Sequence, residues 1–584
     1  MCGIAGIMTA DGSAPDVAAL ATMKNALIHR GPDGDAVWTS GDVGLVHTRL
    51  AIIDLESGDQ PLFGPGGTVL VANGEIYNYI ELREELTGVK FSTASDCEPV
   101  LHCYQNQGLG FAERLRGMYA LAIYDPKERC LVLSRDPFGI KPLYYAPSDN
   151  GVAFASEAQA LLAAGFGSRE LRDRPVGELL QLQFTTGAQT PFEGIDRVLP
   201  GETIVITGGK IVKRRSRAAL PTGGPQHLSE AAAIDALEVA LIDSVGVHQR
   251  SDVPYAMFLS GGIDSSAVLA LMARLNHAPV YAYTAGFPGT NASDERDHAR
   301  KIAQSFGAEH IEVTFEAADF WSLLPEIAAA MDEPVADYAI LPTWKLARIA
   351  GTDHKVILSG EGGDEMFGGY GRYRRLMRPW WLGGHGMRRR GILDGLGVLR
   401  HDDPVWRDGV AGAEAIARKD GRSRLQVAQA VDCADWLPND LLTKLDRCLM
   451  AHGIEGRTPF LDPRVADAAF RLPDSLKVKG GLGKWILRKW LERAAPAAEA
   501  FAKKKGFTVP VGEWISAEGA RIGPLVAAQP GVFERCHPDK VTTLFQSAGK
   551  RERFAAWTLL FFALWHEHHI IGRVTEGDAF DALG

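Results

Sequence analysis

Phe258-Leu259-Ser260-Gly261-Gly262-Ile263-Asp264-Ser265-Ser266 is the stretch that decides how the C-terminal part of this sequence folds. The apolar run that leads into it, residues 253–259, predicts a buried strand. A Ser/Gly turn follows, and apolar residues then recur at helical spacing over residues 264–275. The stretch therefore predicts a strand, a tight polar turn and a helix.

The turn has the composition of a phosphate-binding loop. Gly261 and Gly262 allow the backbone to approach an anion closely, and the free N–H groups at the start of the helix favour bound phosphate or pyrophosphate. Ser260, Ser265 and Ser266 add hydroxyl donors. No lysine closes the loop, which distinguishes it from the nucleotide loops that hold a γ-phosphate. The alternative is a glycine-rich turn that binds no ligand.

The composition is that of a globular protein with more than one core. A chain of 584 residues with 46% hydrophobic and 23% charged residues predicts two domains of ordinary size. The net charge of −10 argues against nucleic acid as the main partner. Seven cysteines without a C-x-x-C pair favour a reducing cytoplasm, and the first residues predict no secretion signal. The longest apolar run, residues 559–565, is too short for a membrane span and predicts a buried helix.

Strands alternate with helices after the Ser260 turn. The predicted strands are residues 280–285, 310–315 and 355–359, and the predicted helices are residues 294–306, 320–331 and 341–350. This alternation predicts a doubly wound parallel α/β sheet, in which ligands bind beyond the carboxyl ends of the strands. Ser260 and Ser359 both follow such strand ends, so we expect their loops to lie side by side.

The second loop, residues 359–370, is rich in glycines and carboxylates. Every residue from Gly360 to Glu365 is one or the other. Such a run suits Mg²⁺ held between the protein and phosphates, because this ion keeps most of its waters and needs only one or two carboxylates. A polar glycine turn without a metal is the alternative.

The N-terminal part of the chain has a different pattern. Short apolar segments separated by turns predict strands of antiparallel sheets, with helices that cover them. The predicted strands are residues 3–8, 44–54, 69–72, 119–124, 131–134 and 152–155, and the predicted helices are residues 17–28, 80–86, 99–104 and 157–162. A turn-rich polar segment follows, and Ser229 then has the character of a helix N-cap. The predicted organisation is a first domain over residues 2–200, a linker over 201–228, a second domain over 229–515 and a C-terminal helical extension over 516–584.

Cys2 begins the chemistry of the first domain. After removal of Met1, which a small second residue permits, the Cys2 thiol and a free α-amine would belong to the same residue. Because an α-amine titrates close to neutral pH, it would act as the base for this thiol. Cys2 is therefore a candidate nucleophile, and a buried cysteine near the start of a strand is the alternative.

Six motifs occur in order in this domain. They are Cys2-Gly3-Ile4-Ala5-Gly6, His29-Arg30-Gly31-Pro32-Asp33, Arg49-Leu50-Ala51-Ile52-Ile53-Asp54, Asn73-Gly74-Glu75-Ile76-Tyr77-Asn78, Ser95-Asp96-Cys97-Glu98 and Arg135-Asp136-Pro137-Phe138-Gly139-Ile140-Lys141-Pro142-Leu143-Tyr144. Together they resemble the glutaminase domain of the N-terminal-nucleophile amidotransferases, the class that includes glutamine-hydrolysing asparagine synthetase. The resemblance implies an αββα sandwich of antiparallel sheets.

The same resemblance implies roles for the residues of these motifs. Cys2 would attack the amide of glutamine, and Asn73 with the N–H of Gly74 would form the oxyanion hole. Arg49 has the planar fork that suits the α-carboxylate of glutamine, and Asp96 has the charge that suits the α-ammonium. The predicted glutamine-binding residues are Arg49, Ile52, Ile53, Asn73, Glu75 and Asp96.

Further motifs follow in the second domain. They are Asp446-Arg447, Met450-Ala451-His452-Gly453-Ile454-Glu455-Gly456-Arg457-Thr458-Pro459-Phe460-Leu461-Asp462, Gly483-Lys484-Trp485-Ile486-Leu487-Arg488 and Lys503-Lys504-Lys505-Gly506-Phe507. With the two loops, they are similar to the synthetase domain of asparagine synthetases and of the related β-lactam synthetases. The similarity covers roughly residues 230–515. It implies that a substrate carboxylate attacks the α-phosphate of ATP, pyrophosphate leaves, and ammonia displaces AMP.

This similarity assigns residues to the reaction. Lys484 would neutralise charge in the pentacovalent transition state, and Glu361 would orient or deprotonate the incoming ammonia. Asp264 and Asp364 are the candidate ligands of Mg²⁺. The predicted ATP- and pyrophosphate-binding residues are Leu259, Ser260, Gly261, Gly262, Asp264, Ser265, Ala285, Ser359 and Gly360.

A glutamine-dependent asparagine synthetase is the leading hypothesis from the sequence. Its substrates would be glutamine, aspartate and ATP, with Mg²⁺, without nucleic acid and without a membrane span, and a homodimer is left open. Two sites in one chain imply that ammonia crosses between them along a shielded path. The first alternative is the same machinery acting on a sugar acid, a peptide or a cell-wall carboxylate. The second is a catalytically silent protein that binds glutamine or nucleotide.

Two further patterns carry weaker predictions. The segment 372–390 contains the arginines Arg372, Arg374, Arg375, Arg378, Arg388, Arg389 and Arg390. A solvated basic face is the favoured interpretation, and contact with an acidic substrate or an anionic surface is the alternative. His566-Glu567-His568-His569 lacks the H-E-x-x-H spacing of zinc sites, so a polar helix end is favoured over a metal site.

Overall fold

The computed structural model describes residues 2–290, 294–384, 386–401, 404–502, 509–574 and 576–584. The Lys503-Lys504-Lys505-Gly506-Phe507 motif therefore lies outside the described residues. The N-terminal part of the chain forms antiparallel sheets and the C-terminal part forms a parallel sheet, as predicted.

The N-terminal part contains two six-stranded sheets, ordered β10-β8-β9-β1-β3-β2 and β12-β11-β7-β6-β5-β4. Its strands are β1 Gly3–Thr9, β2 Gly34–Ser40, β3 Val43–Arg49, β4 Leu62–Phe63, β5 Val69–Ile76, β6 Gly117–Asp125, β7 Cys130–Arg135, β8 Tyr144–Ser148, β9 Gly151–Ala155, β10 Asp196–Arg197, β11 Glu202–Thr207 and β12 Lys210–Ser216. Its α-helices are α1 Val17–Ala26, α2 Tyr79–Glu85, α3 Glu98–Gln107, α4 Ala158–Ala163 and α5 Asp173–Leu182. The sequence did not predict β2, β4, β8, β10 or α5.

The two sheets pack face to face with helices outside them. Alternate residues of a strand point to opposite faces, so Ile4 and Met8 of β1 lie between the sheets, whereas Ala5 and Ile7 lie in the core that contains α1 and α4. Helices α2 and α3 cover the second sheet through a separate apolar core. The order of layers is helix, sheet, sheet, helix, which confirms the predicted αββα sandwich.

Strands β11 and β12 come from the segment that the sequence assigned to a linker. β11 pairs with β7 and β12 pairs with β11, both antiparallel. Ile204 and Ile206 are fully buried between the two sheets, and this apolar burial holds the segment in the sandwich despite the charged run that follows it. We therefore place the start of the connection between domains after Ser216.

The predicted strand over residues 44–54 is wrong in its second half. β3 ends at Arg49, and Asp54 has a φ of 55°, a left-handed conformation that extended backbone does not adopt. Residues 50–54 instead form a loop that reaches the second domain, where the N–H of Asp252 donates to the carbonyl of Ile52 (3.0 Å).

The C-terminal part contains a five-stranded sheet ordered β15-β14-β13-β16-β17, with all pairs parallel. Its strands are β13 Tyr255–Phe258, β14 Tyr281–Gly286, β15 Glu309–Thr314, β16 Val356–Leu358 and β17 Glu455–Arg457. Its α-helices are α6 Glu230–His248, α7 Ile263–Leu275, α8 Arg296–Ser305, α9 Ala317–Ala330, α10 Ile340–Ala350, α11 Gly363–Phe367, α12 Gly371–Leu376, α13 Asp408–Ala417, α14 Arg424–Val431, α15 Thr443–Met450, α16 Pro463–Phe470, α17 Asp474–Lys477, α18 Trp485–Ala494, α19 Val511–Ala517, α20 Gly519–Ala528, α21 Pro530–Arg535, α22 Pro538–Phe545, α23 Lys550–His566 and α24 Ala579–Leu583. A π-helical segment, Asp432–Leu442, joins α14 to α15.

The parallel sheet changes direction at β13. The chain runs outward from β13 through β14 to β15, and then returns to place β16 on the other side of β13. The loops that follow β13 and β16 therefore leave the same edge of the sheet at its switch point. They are in contact, because a Cβ atom on Gly360 would lie 2.9 Å from the backbone nitrogen of Ser265. The prediction that the two loops lie side by side is confirmed.

Helix α23 is the apolar element near the C-terminus. Trp557, Leu559, Phe561 and Trp565 are fully buried in the core that also contains α9 and α10, which confirms the predicted buried helix. Across the described ranges, no helix combines the length and the apolar character that crossing a membrane requires. The His566–His569 run continues from this helix into a short π-helical turn, where burial lowers the pKa of His569 to about 3.

Candidate active sites

Cys2 lies at the start of β1, buried beside Asn73 of β5. The backbone N–H of Cys2 donates to Asn73 Oδ1 at 3.2 Å, and burial raises the pKa of the Cys2 thiol. Asn73 is fully buried, and its Nδ2 has no hydrogen-bond partner within the described part of the chain. A buried amide donor next to a thiol is what an oxyanion hole requires. Gly74 follows with a φ of 155°, and a Cβ there would lie 2.1 Å from the carbonyl of Met118.

The predicted glutamine-binding residues come from β3, from the loop after it, from β5 and from the loop before α3. The guanidinium of Arg49 donates to the carbonyl of Asp54 and to Asp59 Oδ1 (2.7 Å), which fixes its fork at the end of β3. Asp96 Oδ2 accepts the backbone N–H of Ile76 at 2.7 Å, and burial raises the pKa of Asp96 to about 6. Ile52 is buried and Ile53 is half-buried on the loop that follows Arg49.

Glu75 connects the first site to the second domain. Its Oε2 lies 3.5 Å from Arg457 Nη2, and burial raises the pKa of Glu75. Arg457 also donates to Glu455 Oε1 (2.5 Å) and, from Nη1, to the carbonyl of His248 (2.8 Å). The backbone carbonyl of Arg457 accepts the N–H of Ser359 at 2.9 Å. Arg457 therefore contacts both Glu75 in the first site and Ser359 at the start of the second loop.

The Ser260 loop is closed by its own hydroxyl groups. Ser265 Oγ accepts the backbone N–H of Ser260 (3.2 Å) and lies 3.1 Å from Ser260 Oγ, which in turn accepts the N–H of Gly262 (3.2 Å). Gly261 has a φ of 72°, which explains the glycine at this position. On the neighbouring strand, Thr284 Oγ1 donates to the carbonyl of Leu259 at 2.6 Å, and Ala285 follows it on β14. Leu259 and Ala285 thus lie at adjacent strand ends beside the loop.

Lys484 lies between the two candidate metal ligands. Its Nζ pairs with Asp264 and, at 2.8 Å, with Asp364 Oδ1. Burial lowers the pKa of Lys484, but the two carboxylates outweigh burial and raise it to about 12. The structure thus brings the three predicted residues together from α7, α11 and the residue preceding α18.

The surroundings of these carboxylates fit a small hard cation. A Cβ on Gly363 would lie 2.4 Å from Asp264 Oδ1, and a Cβ on Gly369 would lie 1.8 Å from Asp364 Oδ1, so a side chain at either glycine would displace a carboxylate. Oxygen ligands of this kind suit Mg²⁺, which completes its shell with water and phosphate oxygens. Among the described residues, no group of three or more His, Cys, Asp or Glu side chains is arranged to hold a metal by itself.

Glu361 is linked to residues that the sequence did not assign. Lys444 Nζ lies 3.3 Å from Glu361 Oε1 and 3.0 Å from Asp337 Oδ2. Glu365 is fully buried near Asp364 and accepts the hydroxyl of Tyr370 at 2.8 Å. Burial raises the pKa of Glu365 to about 8. Lys444 is a lysine on α15, a helix whose residues are all buried. A lysine within a segment predicted to be buried is the signal that could have marked it as a functional residue.

A buried ionic cluster fills the contact between the two domains. Arg30 Nη1 donates to Glu157 Oε1 (2.6 Å) and to Asp446 Oδ2 (2.8 Å), and Arg447 Nε donates to Asp332 Oδ1 (2.6 Å). Burial favours the neutral form of Asp446, but Arg30 and Arg447 outweigh burial and lower its pKa. Arg30 and Asp446 both belong to motifs in the sequence, but no role was predicted for either. Their pairing depends on how the two domains dock.

The interpretation of the segment 372–390 as a solvated basic face is wrong for two of its arginines. Arg372 donates to Asp432 Oδ2 (2.7 Å), and its guanidinium carbon lies 3.9 Å from the ring centroid of Trp436. Arg388 lies over Phe184 (4.7 Å) and Trp436 (5.1 Å). Aromatic rings take the place of water around both cations. The exposed arginines of the segment are Arg375, Arg378, Arg389 and Arg390.

The fold and the two sites define a class of protein. An αββα sandwich with a buried cysteine at its first strand is joined to a parallel α/β domain with paired polar loops at its switch point. This is the architecture of a two-domain amidotransferase.

Comparison with known proteins identifies the family. Residues 236–567 match the family model "Asparagine synthase", and residues 1–216 match the model "Glutamine amidotransferase domain". The chain belongs to the asparagine synthase family. It is therefore an enzyme, an ATP-dependent ligase with a glutamine amidotransferase domain, and the alternative of a catalytically silent binding protein is not retained.

Several named relatives are similar over nearly their whole length. A putative glutamine-hydrolysing asparagine synthetase of Mycobacterium tuberculosis is 34% identical over 99% of this chain and 99% of its own length. Glutamine-hydrolysing asparagine synthetase 1 of Bacillus subtilis is 33% identical over 98% of this chain and 97% of its own length. Glutamine-hydrolysing asparagine synthetase B of Escherichia coli is 29% identical over 88% of this chain and 83% of its own length.

Proposed function

We propose that this protein is a glutamine-dependent asparagine synthetase. In the proposed reaction, aspartate, glutamine, ATP and water give asparagine, glutamate, AMP and pyrophosphate. One observation carries the proposal. Arg457 touches Glu75 beside Cys2 with its side chain and Ser359 at the second loop with its carbonyl, so the two sites adjoin inside one molecule.

The first half of the proposed reaction releases ammonia from glutamine. Once Met1 is removed, the α-amine of Cys2 accepts the thiol proton, and the sulfur attacks the amide carbon. The Nδ2 of Asn73 and the N–H of Gly74 stabilise the oxyanion. The α-ammonium of Cys2 then returns its proton to the leaving nitrogen, and ammonia departs as the thioester forms. Water then hydrolyses the thioester to glutamate. Arg49 holds the α-carboxylate of glutamine and Asp96 holds its α-ammonium.

The second half activates the acceptor carboxylate. An oxygen of the aspartate side chain attacks the α-phosphorus of ATP, and pyrophosphate leaves into the Ser260 loop. Mg²⁺, when bound by Asp264 and Asp364, would neutralise phosphate charge. Lys484 stabilises the charge that develops on the pentacovalent phosphorus, and Glu361 orients the ammonia that displaces AMP.

Ammonia must cross the contact between the domains in this proposal. The buried residues around Arg457 and the Arg30–Asp446 cluster separate that contact from bulk water. Shielding matters, because water would protonate and dilute ammonia before it met the acyl-adenylate. The seven cysteines are all free, which supports the proposed cytoplasmic location, and a homodimer stays a prediction.

Pyrophosphate release tests the proposal. Purified protein with glutamine, ATP and Mg²⁺ should release one pyrophosphate for each asparagine formed when aspartate is the acceptor. A panel of sugar acids, peptides and cell-wall carboxylates should give no release above the rate without acceptor. If one of these compounds caused pyrophosphate release and aspartate did not, that compound would be the acceptor. The rest of the proposed mechanism would be unaffected.

A further inference from the structure

A cavity of about 530 Å³ lies between the N-terminal domain and the C-terminal helices. Its lining residues come from the end of α5, from the arginine-rich segment and from the start of α23. They are Gln181, Leu182, Gln183, Arg388, Arg390, Gly391, Ile392, Lys550, Arg551 and Phe554. None of them belongs to the residues assigned to either half of the reaction. The volume is within the range of small-molecule sites.

The lining of this cavity is strongly cationic. Arg388, Arg390, Lys550 and Arg551 supply four positive charges, and none of the ten lining residues is acidic. The chain as a whole has a net charge of −10, so the positive charge of this lining is opposite in sign to that of the whole protein. Cations crowded together repel one another, and a bound anion relieves that repulsion.

Hydrogen bonds hold the walls of the cavity together. Gln181 Oε1 accepts the N–H groups of Leu393 and Asp394, both at 3.1 Å, and a Cβ on Gly391 would lie 2.0 Å from the same oxygen. Arg551 Nη2 donates to the carbonyl of Gly391 at 3.2 Å and also to that of Asp394. Helices α5 and α23 therefore both hold the segment that carries Arg388 and Arg390.

Arg388 has carboxylates nearby, Asp432 and Asp440, but a donor of its guanidinium is left unused within the described structure. Its backbone has a φ of 42°, a strained conformation for a non-glycine residue, and its guanidinium packs over Phe184 and Trp436. Its Nη2 is buried and has no hydrogen-bond partner among the residues that the structure describes. Burial lowers the pKa of Arg388 to about 10. A desolvated guanidinium with an unused donor is suited to receive an anionic oxygen.

The start of α23 adds to the attraction. Lys550 and Arg551 are the first two residues of this 17-residue helix, so its positive end lies at the cavity. Glu552, in the same turn, lies against Gly549 at the N-cap, so the attraction at this end comes from the side chains of Lys550 and Arg551.

We propose that this cavity is a binding site for a small anion carrying two or more negative charges, outside the two catalytic sites. Phosphate esters and di- or tricarboxylates share the required chemistry. A ligand there would bridge the N-terminal domain, through α5, and the C-terminal helices, through α23. The inference does not depend on the identity of the acceptor substrate.

Calorimetric titration of the full-length protein tests this site. The protein is first saturated with ATP and Mg²⁺ in the absence of aspartate, so that phosphate groups already occupy the Ser260 loop. Citrate and a sugar bisphosphate serve as probes for the two sources of anionic oxygen. We expect saturable binding of at least one probe, and the double variant Arg390→Gln/Lys550→Gln should weaken it at least tenfold, because two charge-assisted contacts are lost.

A matched variant and a localising measurement complete the design. Lys90→Gln/Lys127→Gln removes two exposed charges from the N-terminal domain and should leave the affinity unchanged. Hydrogen exchange should slow in peptides that cover residues 181–183, 388–392 and 550–554 when the probe binds. Melting temperature and glutamine hydrolysis report that each variant is folded, since none of these four residues belongs to the catalytic sites.

Three results would overturn the site. They are absence of binding by both probes at millimolar concentration, equal affinity of the two double variants, and protection confined to residues 260–266. Failure of asparagine synthesis with normal probe binding would count against the proposed function and leave this cavity standing.

Discussion

Lys484 is a cation enclosed by two carboxylates. It adopts a left-handed conformation, with a φ of 58°, immediately before α18, and this conformation directs its ammonium to Asp264 and Asp364. Lys484 belongs to a short sequence motif, but the sequence does not show how far it lies from either aspartate. Asp264 and Asp364 precede it by 220 and 120 positions in the chain.

The variant Lys484→Leu should bind ATP but form the adenylate about 10²- to 10³-fold more slowly, because the charge developing on phosphorus loses its fixed partner. ATP binding by calorimetry and pyrophosphate release with ammonium as nitrogen donor measure the two effects. The control is Lys489→Leu in α18, where Lys489 forms a half-exposed ion pair with Glu492 (3.1 Å) and lies over the rings of Trp485 and Phe501, away from both aspartates. Unchanged turnover of Lys484→Leu would remove this residue from the mechanism.

The Cys2 variant separates the two halves of the reaction. Cys2→Ala should abolish glutamine-dependent synthesis, because the variant lacks the thiol that lies beside Asn73, and should retain synthesis with free ammonium. Glutamate release and pyrophosphate release, measured in parallel, report the two halves. Persistent glutamate release by the variant would mean that another residue attacks glutamine.

Lys477 gives a prediction for the pH dependence of stability. It is fully buried, its Nζ donates to Gln429 Oε1 (2.9 Å) and to the carbonyl of Phe470 (2.7 Å), and burial lowers its pKa from 10.5 to about 7. Between these values the unfolded chain binds the proton and the folded chain does not. The free energy of unfolding therefore rises with pH in this window, by at most about 1.4 kcal/mol per pH unit.

Comparison with Lys477→Met isolates this contribution. The wild-type protein should gain stability relative to the variant as the pH is raised from 7 to 9, since the other titrating groups are common to both. Melting temperatures at several pH values measure the difference. A difference that stays constant with pH would show that Lys477 has the same pKa folded and unfolded.

At the scale of the elements, the two loops at the switch point of the parallel sheet act as one unit. Gly360 lies against the backbone of Asp264 and Ser265, and Gly363 lies against the side chain of Asp264. These contacts explain glycine in the second loop better than backbone freedom does, since neither position has a left-handed φ. A side chain at either position would push the loops apart.

Gly360→Ala should therefore impair pyrophosphate release at least tenfold while glutamine hydrolysis continues. The added Cβ would lie 2.9 Å from the backbone nitrogen of Ser265, so one of the two loops must shift to accommodate it. The control is Gly412→Ala in α13, where a Cβ meets no atom within 4 Å. Equal pyrophosphate release by the two variants would mean that the loops adjust without loss of function.

Element prediction succeeded where burial followed a simple period and failed where it did not. Ser229 caps α6 as predicted, with its side chain accepting the N–H of Ala232, and the strands and helices that flank the Ser260 loop were found in order. β11 was assigned to a linker together with the turn-rich polar segment that follows it. Its place in the sandwich depends on β7, a strand distant in sequence.

At the scale of the whole molecule, the two domains are held together by buried charge. Arg30, Asp446 and Arg447 are desolvated at the contact. Arg30 pairs with Asp446 across it, and each arginine has a further carboxylate partner in its own domain, Glu157 for Arg30 and Asp332 for Arg447. Pairs of this kind contribute specificity of docking more than stability, whereas removal of one partner leaves a buried charge unpaired.

Asp446→Asn should lower the free energy of unfolding by about 3–5 kcal/mol, because Arg30 and Arg447 lose a buried counter-charge. It should also raise the ratio of glutamine hydrolysed to pyrophosphate released, since the contact between the sites loosens. Thermal melting and the ratio of the two products measure these effects. Lys24→Ala, which breaks a partly exposed pair with Asp35, is the control and should change neither. An unchanged ratio in a destabilised Asp446→Asn protein would show that the cluster stabilises the contact without shielding the path.

The sequence by itself determined the family and the fold class of each domain. Motifs such as the Ser260 loop and the Asn73-Gly74-Glu75 run are local, because a loop that binds phosphate or an oxyanion needs its glycines, hydroxyls and amides at adjacent positions. The alternation of strands and helices fixed the class of each domain for the same reason, since hydrophobic periodicity is a property of neighbouring residues. The predicted strand over residues 44–54 put Arg49 in mid-strand, and only the structure places it at the end of β3.

Only the tertiary structure decided which distant charges meet. Lys444 with Glu361, Arg457 with Glu75, and Arg388 beside a cavity lined by α5 and α23 are all pairings between segments far apart in the chain. Nothing in the local pattern distinguishes such a residue from a solvated surface charge. The difference arises when folding removes water from around it, because a buried charge then requires a partner that only the fold, or a ligand, supplies.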